Sequence, residues 1–273
     1  SVNGSSDTID AGSGDNSIVA SGTGHHSIVA AAGKDTISVA GDSDTIDAGD
    51  GNNSIVASGT GHHSITSGAD KDTISVAGDN NTVNSGAGDD NIMASGNSDT
   101  INAGDGNDSV TMTGNSNTVN AGNGDDHITV NGNSDTIDAG SGDNSIVASG
   151  TGHHSIVAAA GKDTISVAGD SDTIDAGDGN NSIVASGTGH HSITSGADKD
   201  TISVAGDNNT VNSGAGDDNI MASGNSDTIN AGDGNDSVTM TGNSNTVNAG
   251  NGDDHITVNG NSDIVDAGNG SDV

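Results

Sequence analysis

The sequence predicts an all-β fold, a parallel β-solenoid (β-roll) built from nine-residue phrases taken two to a coil. Three observations predict it. The first is a restricted alphabet: Leu, Phe, Trp, Tyr, Pro, Cys, Glu, Gln and Arg are all absent. Buried area in a globular core comes largely from Leu and aromatic side chains, so a thick core is excluded and a thin repetitive structure is left. The second is a fixed beat. Ile or Val stands at Ile9, Ile18, Ile28, Ile37, Ile46, Ile55, Ile65, Ile74, Val83, Ile92, Ile101, Val110, Val119 and Ile128. The third is what lies between the beats, namely Gly, Asn, Asp and Ser, the residues of tight turns.

Each phrase justifies one turn and one strand. In T-I-N-A (Thr100 to Ala103), alternation puts Ile101 and Ala103 on one face and Thr100 and Asn102 on the other. A strand of about four residues does not stand alone. Stacked on copies of itself it becomes a parallel ladder, with a narrow core of Ile and Val backed by Ala, Val or Met. Disorder is the competing reading of so polar and Gly-rich a chain. The strict placement of β-branched residues favours order, with a bound cation as its condition.

A larger repeat encloses the small one. Ser6 to Asp135 recur unchanged as Ser134 to Asp263, an offset of 128 residues. The expected organisation is a single continuous solenoid over 1–273, made of a tandem duplication (about 6–133 and 134–261). Both ends fall mid-pattern, so it reads as a fragment of a longer array. The whole would contain about fifteen coils and extend ~70 Å at the spacing of parallel strands.

Net charge is −35, and every one of the 39 acids is Asp. A short carboxylate used to the exclusion of Glu points to turns or to a hard cation. Four lysines without arginine argue against nucleic acid. No apolar run approaches the ~18 residues of a membrane span. No targeting segment is visible, and the absence of Cys excludes disulfides while being compatible with export.

The phrase AGDGNDSVT (Ala103 to Thr111) resembles the repeats-in-toxin (RTX) nonapeptide G-G-x-G-x-D-x-U-x, where U is a large apolar residue. Gly104, Gly106, Asp108 and Val110 fall in its slots, and Ala103 replaces its first Gly. AGNGDDHIT (Ala121 to Thr129) matches too, and SGAGDDNIM (Ser85 to Met93) more loosely. The period extends over the whole chain, but only about half of the phrases follow the motif. The resemblance implies a Ca²⁺-binding solenoid whose sixth-slot Asp and turn carbonyls hold the ion between successive coils. The chemistry is consistent. Carboxylates stacked ~4.8 Å apart repel by about 0.9 kcal/mol even at the dielectric of water. A divalent cation reverses that sign, and an oxygen-only ligand set favours Ca²⁺.

Taking alternate phrases separates two edges. Edge A has Asn16, Asp35, Asn53, Asp72, Asp90, Asp108 and Asp126 in the sixth slot, and its turns usually read A-G-x-G. Edge B has Asp7, His26, Asp44, His63, Asn81, Asp99, Asn117 and Asp135, and its turns read x-x-G-x-S. Only edge A places Asp beside Asp. Several Ca²⁺ ions are therefore expected mainly along one edge, at Asp72, Asp90, Asp108 and Asp126 and again at Asp200, Asp218, Asp236 and Asp254. Asp35 and Asp163 are further ligands. Edge B is expected to close as a neutral Asx/Ser ladder.

Other groups have more modest readings. The pairs His25–His26 and His62–His63 accompany the one-residue insert SGTGHHSI, as do His153–His154 and His190–His191. Neighbouring side chains on a strand point apart, so a pair does not chelate zinc. These are turn residues, and in the sixth slot a proton at His26 is a weak substitute for metal. Lys34 and Lys71 precede Asp35 and Asp72 where the A-G-x-G turn is lost, and an ammonium there is a stand-in for a cation. An outward interaction face is expected from Thr82, Thr100, Thr118 and Thr136 with Asn84, Asn102 and Asn120, suited to ice or to a glycan surface.

No concave apolar pocket or nucleophile–base pair suggests an enzyme. The functional expectation is a structural Ca²⁺-binding repeat rod of an extracellular or bacterial cell-surface protein, such as an adhesin stalk, surface layer or filament. Its partners would be its own copies or a continuation of the array. An ice-binding solenoid and a secretion-coupled repeat domain of a larger secreted enzyme are the alternatives.

Overall fold

The computed structural model describes residues 1–273 and contains only short β-strands and turns. It divides into two compact units, Ser1–Ala139 and Gly140–Val273. Each is a parallel β-solenoid with coils of about 18 residues, and the two hold about 14 turns between them. In the first unit, sheet 1 contains Ser17–Ala20, Thr36–Ala40, Ser54–Ser58, Thr73–Ala77, Asn91–Ser95, Ser109–Thr113 and His127–Asn131. Sheet 2 contains Thr8–Asp10, Ser27–Val29, Thr45–Asp47, Ser64–Thr66, Thr82–Ala87, Thr100–Asp105, Thr118–Asn123 and Thr136–Asp138. Within each sheet, every strand pairs with the strands one coil before and after it. The second unit repeats the scheme, from Ser145–Ser149 to His255–Asn259 in one sheet and from Ser155–Val157 to Ile264–Asp266 in the other.

Register keeps like over like. Ile92 pairs with Ile74 and Val110, and Ile101 pairs with Val83 and Val119. A β-branched residue suits a pleated, half-buried surface, and a slip of one residue would turn every Ile outward. The core between the sheets is two side chains wide. Sheet 1 supplies pairs such as Ile37 with Val39 and Val110 with Met112, and sheet 2 supplies Ile101 with Ala103. Two inward positions of sheet 2 are polar: Ser67 and Ser85 are fully buried, and each donates its hydroxyl to the next coil, at Ser85 O (3.0 Å) and Ala103 O (2.8 Å).

The turns explain the glycines. At edge A the chain passes from sheet 2 to sheet 1 with Gly104 at φ +114° and Gly106 at φ +137°. A Cβ on Gly104 would lie 1.8 Å from the carbonyl oxygen of Gly86 one coil earlier, so only Gly fits. The shape survives where the glycine is missing: Ala31 (φ 61°) and Asp70 (φ 75°) hold the left-handed conformation, at a cost of roughly 1–2 kcal/mol each. Edge B makes a different turn, with Ser98, Ser116 and Ser134 left-handed at φ 59°, 59° and 61°.

The outward face of sheet 2 is in register as well. Thr82, Thr100, Thr118 and Thr136 form one file, and Asn84, Asn102 and Asn120 form another. Asn102 donates its amide to Asn84 Oδ1 at 2.8 Å.

Candidate metal centre along the turns

The sixth-slot residue of each phrase sits at the end of a turn and points inward, immediately before the first strand residue. On edge A, Asp35, Asn53, Asp72, Asp90, Asp108 and Asp126 are all at most 2 % exposed. Stacking makes them a column joined through side chain and backbone. Asp72 N donates to Asp90 Oδ1, Asp90 N to Asp108 Oδ1 and Asp108 N to Asp126 Oδ1, each at 2.8 Å. Asp200, Asp218, Asp236 and Asp254 repeat the run at 2.8 Å per step. One oxygen of each carboxylate is therefore committed to a rung of this ladder.

The second oxygen has nothing. Oδ2 of Asp35, Asp72, Asp90 and Asp108 is buried without a hydrogen-bond partner, as is Oδ2 of Asp163, Asp200, Asp218, Asp236 and Asp254. An uncompensated buried carboxylate costs several kcal/mol, and it answers by holding a proton or binding a cation. Burial accordingly pushes Asp108 up to about 7, and it pushes Asp72, Asp126, Asp163, Asp200 and Asp236 up to about 6. Asp90 and Asp218 rise for the same reason. Neighbouring Asp charges add to the rise at Asp108, from Asp90 and Asp126.

Asn in the same column shows what the Asp levels lack. Asn16 Nδ2 donates to Gly12 O (2.9 Å) and Gly14 O (2.6 Å), and Asn53 Nδ2 donates to Gly49 O (2.9 Å) and Ser67 O (3.2 Å). Asn181 does likewise toward Gly177 O (3.0 Å) and Ser195 O (3.3 Å). The amide supplies positive hydrogens to turn carbonyls. A carboxylate has none to give, so at the Asp levels that N–H donor is missing and the second oxygen stays unpaired. That donor set, all oxygen and sheltered from water, fits a hard divalent cation. No three acidic or imidazole side chains converge on one point. The ligands would thus be carboxylates of successive levels together with turn carbonyls, and not a single-coil cage.

Edge B departs from the expected neutral ladder. Asp44, Asp99, Asp172 and Asp227 are as buried as the edge-A aspartates, and Oδ2 of each also lacks a hydrogen-bond partner. What differs is the neighbour. Asp99 Oδ1 accepts both the backbone N–H of Asn81 (2.8 Å) and its Nδ2 (2.9 Å), while Asp99 N donates to Asn117 Oδ1 (2.9 Å). Asp44 lies between His26 and His63. Carboxylates are kept one level apart by amide or imidazole. Burial still raises Asp99 and Asp227.

Two groups went unnoticed in the sequence. Ser67 and Ser85 replace the usual Ala at the first slot, and each spends its single hydroxyl proton on a carbonyl of the next coil. The signal was the change from A-G to S-G ahead of these two turns. Of the histidine pairs, His26 and His63 are buried at 1 %, whereas His25 and His62 are exposed. Lys34 and Lys71 are exposed. Lys71 acts on Asp90 only as the weakest of several influences.

Comparison with known families agrees with this geometry. The family model described as RTX calcium-binding nonapeptide repeat (4 copies) matches residues 2–23, 21–55, 75–110, 150–183, 204–238 and 241–273. That is more than half of the chain, which therefore belongs to the RTX calcium-binding nonapeptide repeat family. Repeats of this family bind Ca²⁺ and are typical of secreted bacterial proteins. A second model, described as a protein of unknown function (DUF3060), matches residues 94–152. No curated protein and no solved structure matches. No helix is long and apolar enough to cross a membrane.

Proposed function

We propose that this chain is a structural calcium-binding segment of a secreted or surface-displayed bacterial protein, such as an adhesin stalk, a surface layer or an extracellular filament. One observation carries the reading. Asp72, Asp90, Asp108 and Asp126 succeed one another on edge A with no amide or imidazole between them, and the orphan oxygens of the first three have no donor. Calcium at these levels, at Asp200, Asp218, Asp236 and Asp254, and at the isolated Asp35 and Asp163, would take the place of the N–H donors that Asn16 and Asn53 offer the turn by themselves. The protein's own residues fix the spacing, exclude water and hold one oxygen of each carboxylate in the ladder. Because neighbouring Asp levels repel without the cation, binding and folding are one event. Outside the cell, where calcium is on the order of 10⁻³ M, that coupling would order the chain.

Circular dichroism during chelation with EDTA and re-addition of Ca²⁺ tests this. Loss of the β-signal in EDTA and its return with calcium are expected. A β-signal unchanged by chelation at pH 7.5 would refute metal-coupled folding.

The registered files of Thr82, Thr100, Thr118 and Thr136 and of Asn84, Asn102 and Asn120 support a second reading, an ice-binding face. Thermal hysteresis that disappears when Thr100 and Thr118 are replaced by bulky residues is its test, and an absence of hysteresis in the wild type rejects it.

A further inference from the structure

The outward face of sheet 1 contains no carboxylate and no ammonium, in a chain with 39 Asp and four Lys. Sheet 2 differs, since Asp10, Asp47 and Asp138 stand outward on it. Register stacks the middle positions of sheet 1 into one file, Val19, Ser38, Val56, Ser75, Met93 and Thr111 in that order. Large and small alternate along it. Val19, Val56 and Met93 are 41 %, 43 % and 52 % exposed, and the serines lie between them. At ~4.8 Å per level the apolar side chains recur every ~10 Å. The second unit has the same file, with Val147, Val184 and Met221 separated by Ser166 and Ser203.

We propose that this face docks a second copy of the chain, antiparallel, with its large residues over the copy's small ones. Charge selects the face. Two chains of net charge −35 repel, and screening acts only beyond ~8 Å at physiological salt, so contact is open to a face free of carboxylates. Shape selects the partner. A two-fold axis lying in the face, between the levels of Val56 and Ser75, sets Val56 over the second copy's Ser75. The same axis sets Met93 over its Ser38 and Val19 over its Thr111, and every contact is reciprocal, as a two-fold interface requires. A parallel in-register pair would instead stand Val on Val. The surface is already shaped for the antiparallel pair: it is hollowed around Met93, between Ser75 and Thr111, by about 230 Å³. Those are the two positions that Val56 and Val19 of the second copy would meet.

The area sets the strength. Short strands stacked at ~4.8 Å present about 550 Å² per unit on this face. A standard interface takes ~800 Å² from each partner, so a reversible dimer is expected and not an obligate one. Salt sets the sign. Exposed Asp89 and Asp79 lie in the turns on either side of the face, so ions that screen them strengthen an apolar contact. A contact made by calcium bridging acidic turns would weaken instead. The proposal rests on the reading of the chain as a structural segment that folds around calcium, but not on which edge holds the ions.

Sedimentation velocity of the full chain in calcium-containing buffer tests it, with circular dichroism to show that each variant is folded. The wild type should form a concentration-dependent dimer whose dissociation constant falls about threefold or more between about 0.05 and 0.5 M NaCl. Val56→Asp with Val184→Asp puts a carboxylate in the middle file of both units and should raise that constant at least about tenfold. Asn102→Asp with Asn230→Asp adds the same charge to the outward face of the other sheet and should leave it within about twofold. A folded wild type that stays monomeric up to about 10⁻⁴ M would overturn the proposal. So would a dimer that weakens with salt, or one that Val56→Asp with Val184→Asp leaves unaltered. The response of the β-signal to EDTA reports on metal-coupled folding and the dimer on this face, so the two readings fail separately.

Discussion

Asp and Asn differ by one group, and in the edge-A column that group decides what each level needs. Asn53 donates to Gly49 and Ser67 and closes its turn unaided, while Asp108 leaves Oδ2 buried and alone. Asp108→Asn should therefore have opposite effects in two media. In EDTA at pH 7.5 the substituted amide gains donors and removes a charge, so the variant should be more stable by about 1 kcal/mol or more. In saturating calcium it should be less stable than the wild type, with fewer ions bound, as read by thermal melts and calcium titration. The same residues set a pH dependence. In the cation-free chain, folded Asp72, Asp108 and Asp126 titrate at about 6 to 7, against an ordinary value of 3.8. Between about pH 4 and 7 the folded state binds more protons than the unfolded one, so stability is greatest near pH 4 and falls as pH rises through 7. Melting temperatures in EDTA across that range should show the decline, and calcium should flatten it. The column was legible because Asp never gives way to Glu and because Asn and His interrupt it in a pattern. The use of each Asn side chain as a built-in donor was not legible, since it depends on which carbonyl lies within reach. Nor was the burial of edge-B Asp44 and Asp99, because spacing gives the slot and not the depth.

At the scale of one coil, strand and turn make different demands. The strand needs a β-branched residue facing a core only two side chains wide. Ile101→Ala should cost roughly 2–4 kcal/mol, since neighbouring coils are pinned by register and cannot collapse into the gap. The turn needs room for backbone. Gly104→Ala places a Cβ 1.8 Å from the Gly86 carbonyl oxygen, so the coil must open. Ala31→Gly relieves a left-handed alanine and should stabilise by about 0.5–1 kcal/mol. Chemical denaturation of the three variants checks the ranking. The nine-residue beat makes strands and turns readable from residue order alone, and the pairing of Ile92 with Ile74 and Val110 follows that beat. Inward Ser67 and Ser85 escaped because alternation marks a position as buried without saying that a hydroxyl there has a carbonyl to bind. The left-handed Ser98, Ser116 and Ser134 escaped too, since Ser carries no sequence signature for positive φ.

For the molecule as a whole, the sequence alternates two means of neutralising stacked turns. Levels with Asn or His between the aspartates carry their own donors, and the runs Asp72 to Asp126 and Asp200 to Asp254 do not. Partial folding should follow. At low calcium the levels of Asn16 and Asn53, which carry their own donors, should gain protection before the Asp runs, so calcium titrations followed by hydrogen exchange should be biphasic. The central claim is where the cations lie, and anomalous diffraction from crystals grown with a lanthanide in place of calcium locates them directly. Peaks beside Asp72, Asp90, Asp108 and Asp126 and beside Asp200, Asp218, Asp236 and Asp254, with edge B bare or weakly occupied, are the expected result. Peaks predominantly along the edge of Asp44, Asp99, Asp172 and Asp227 would contradict it.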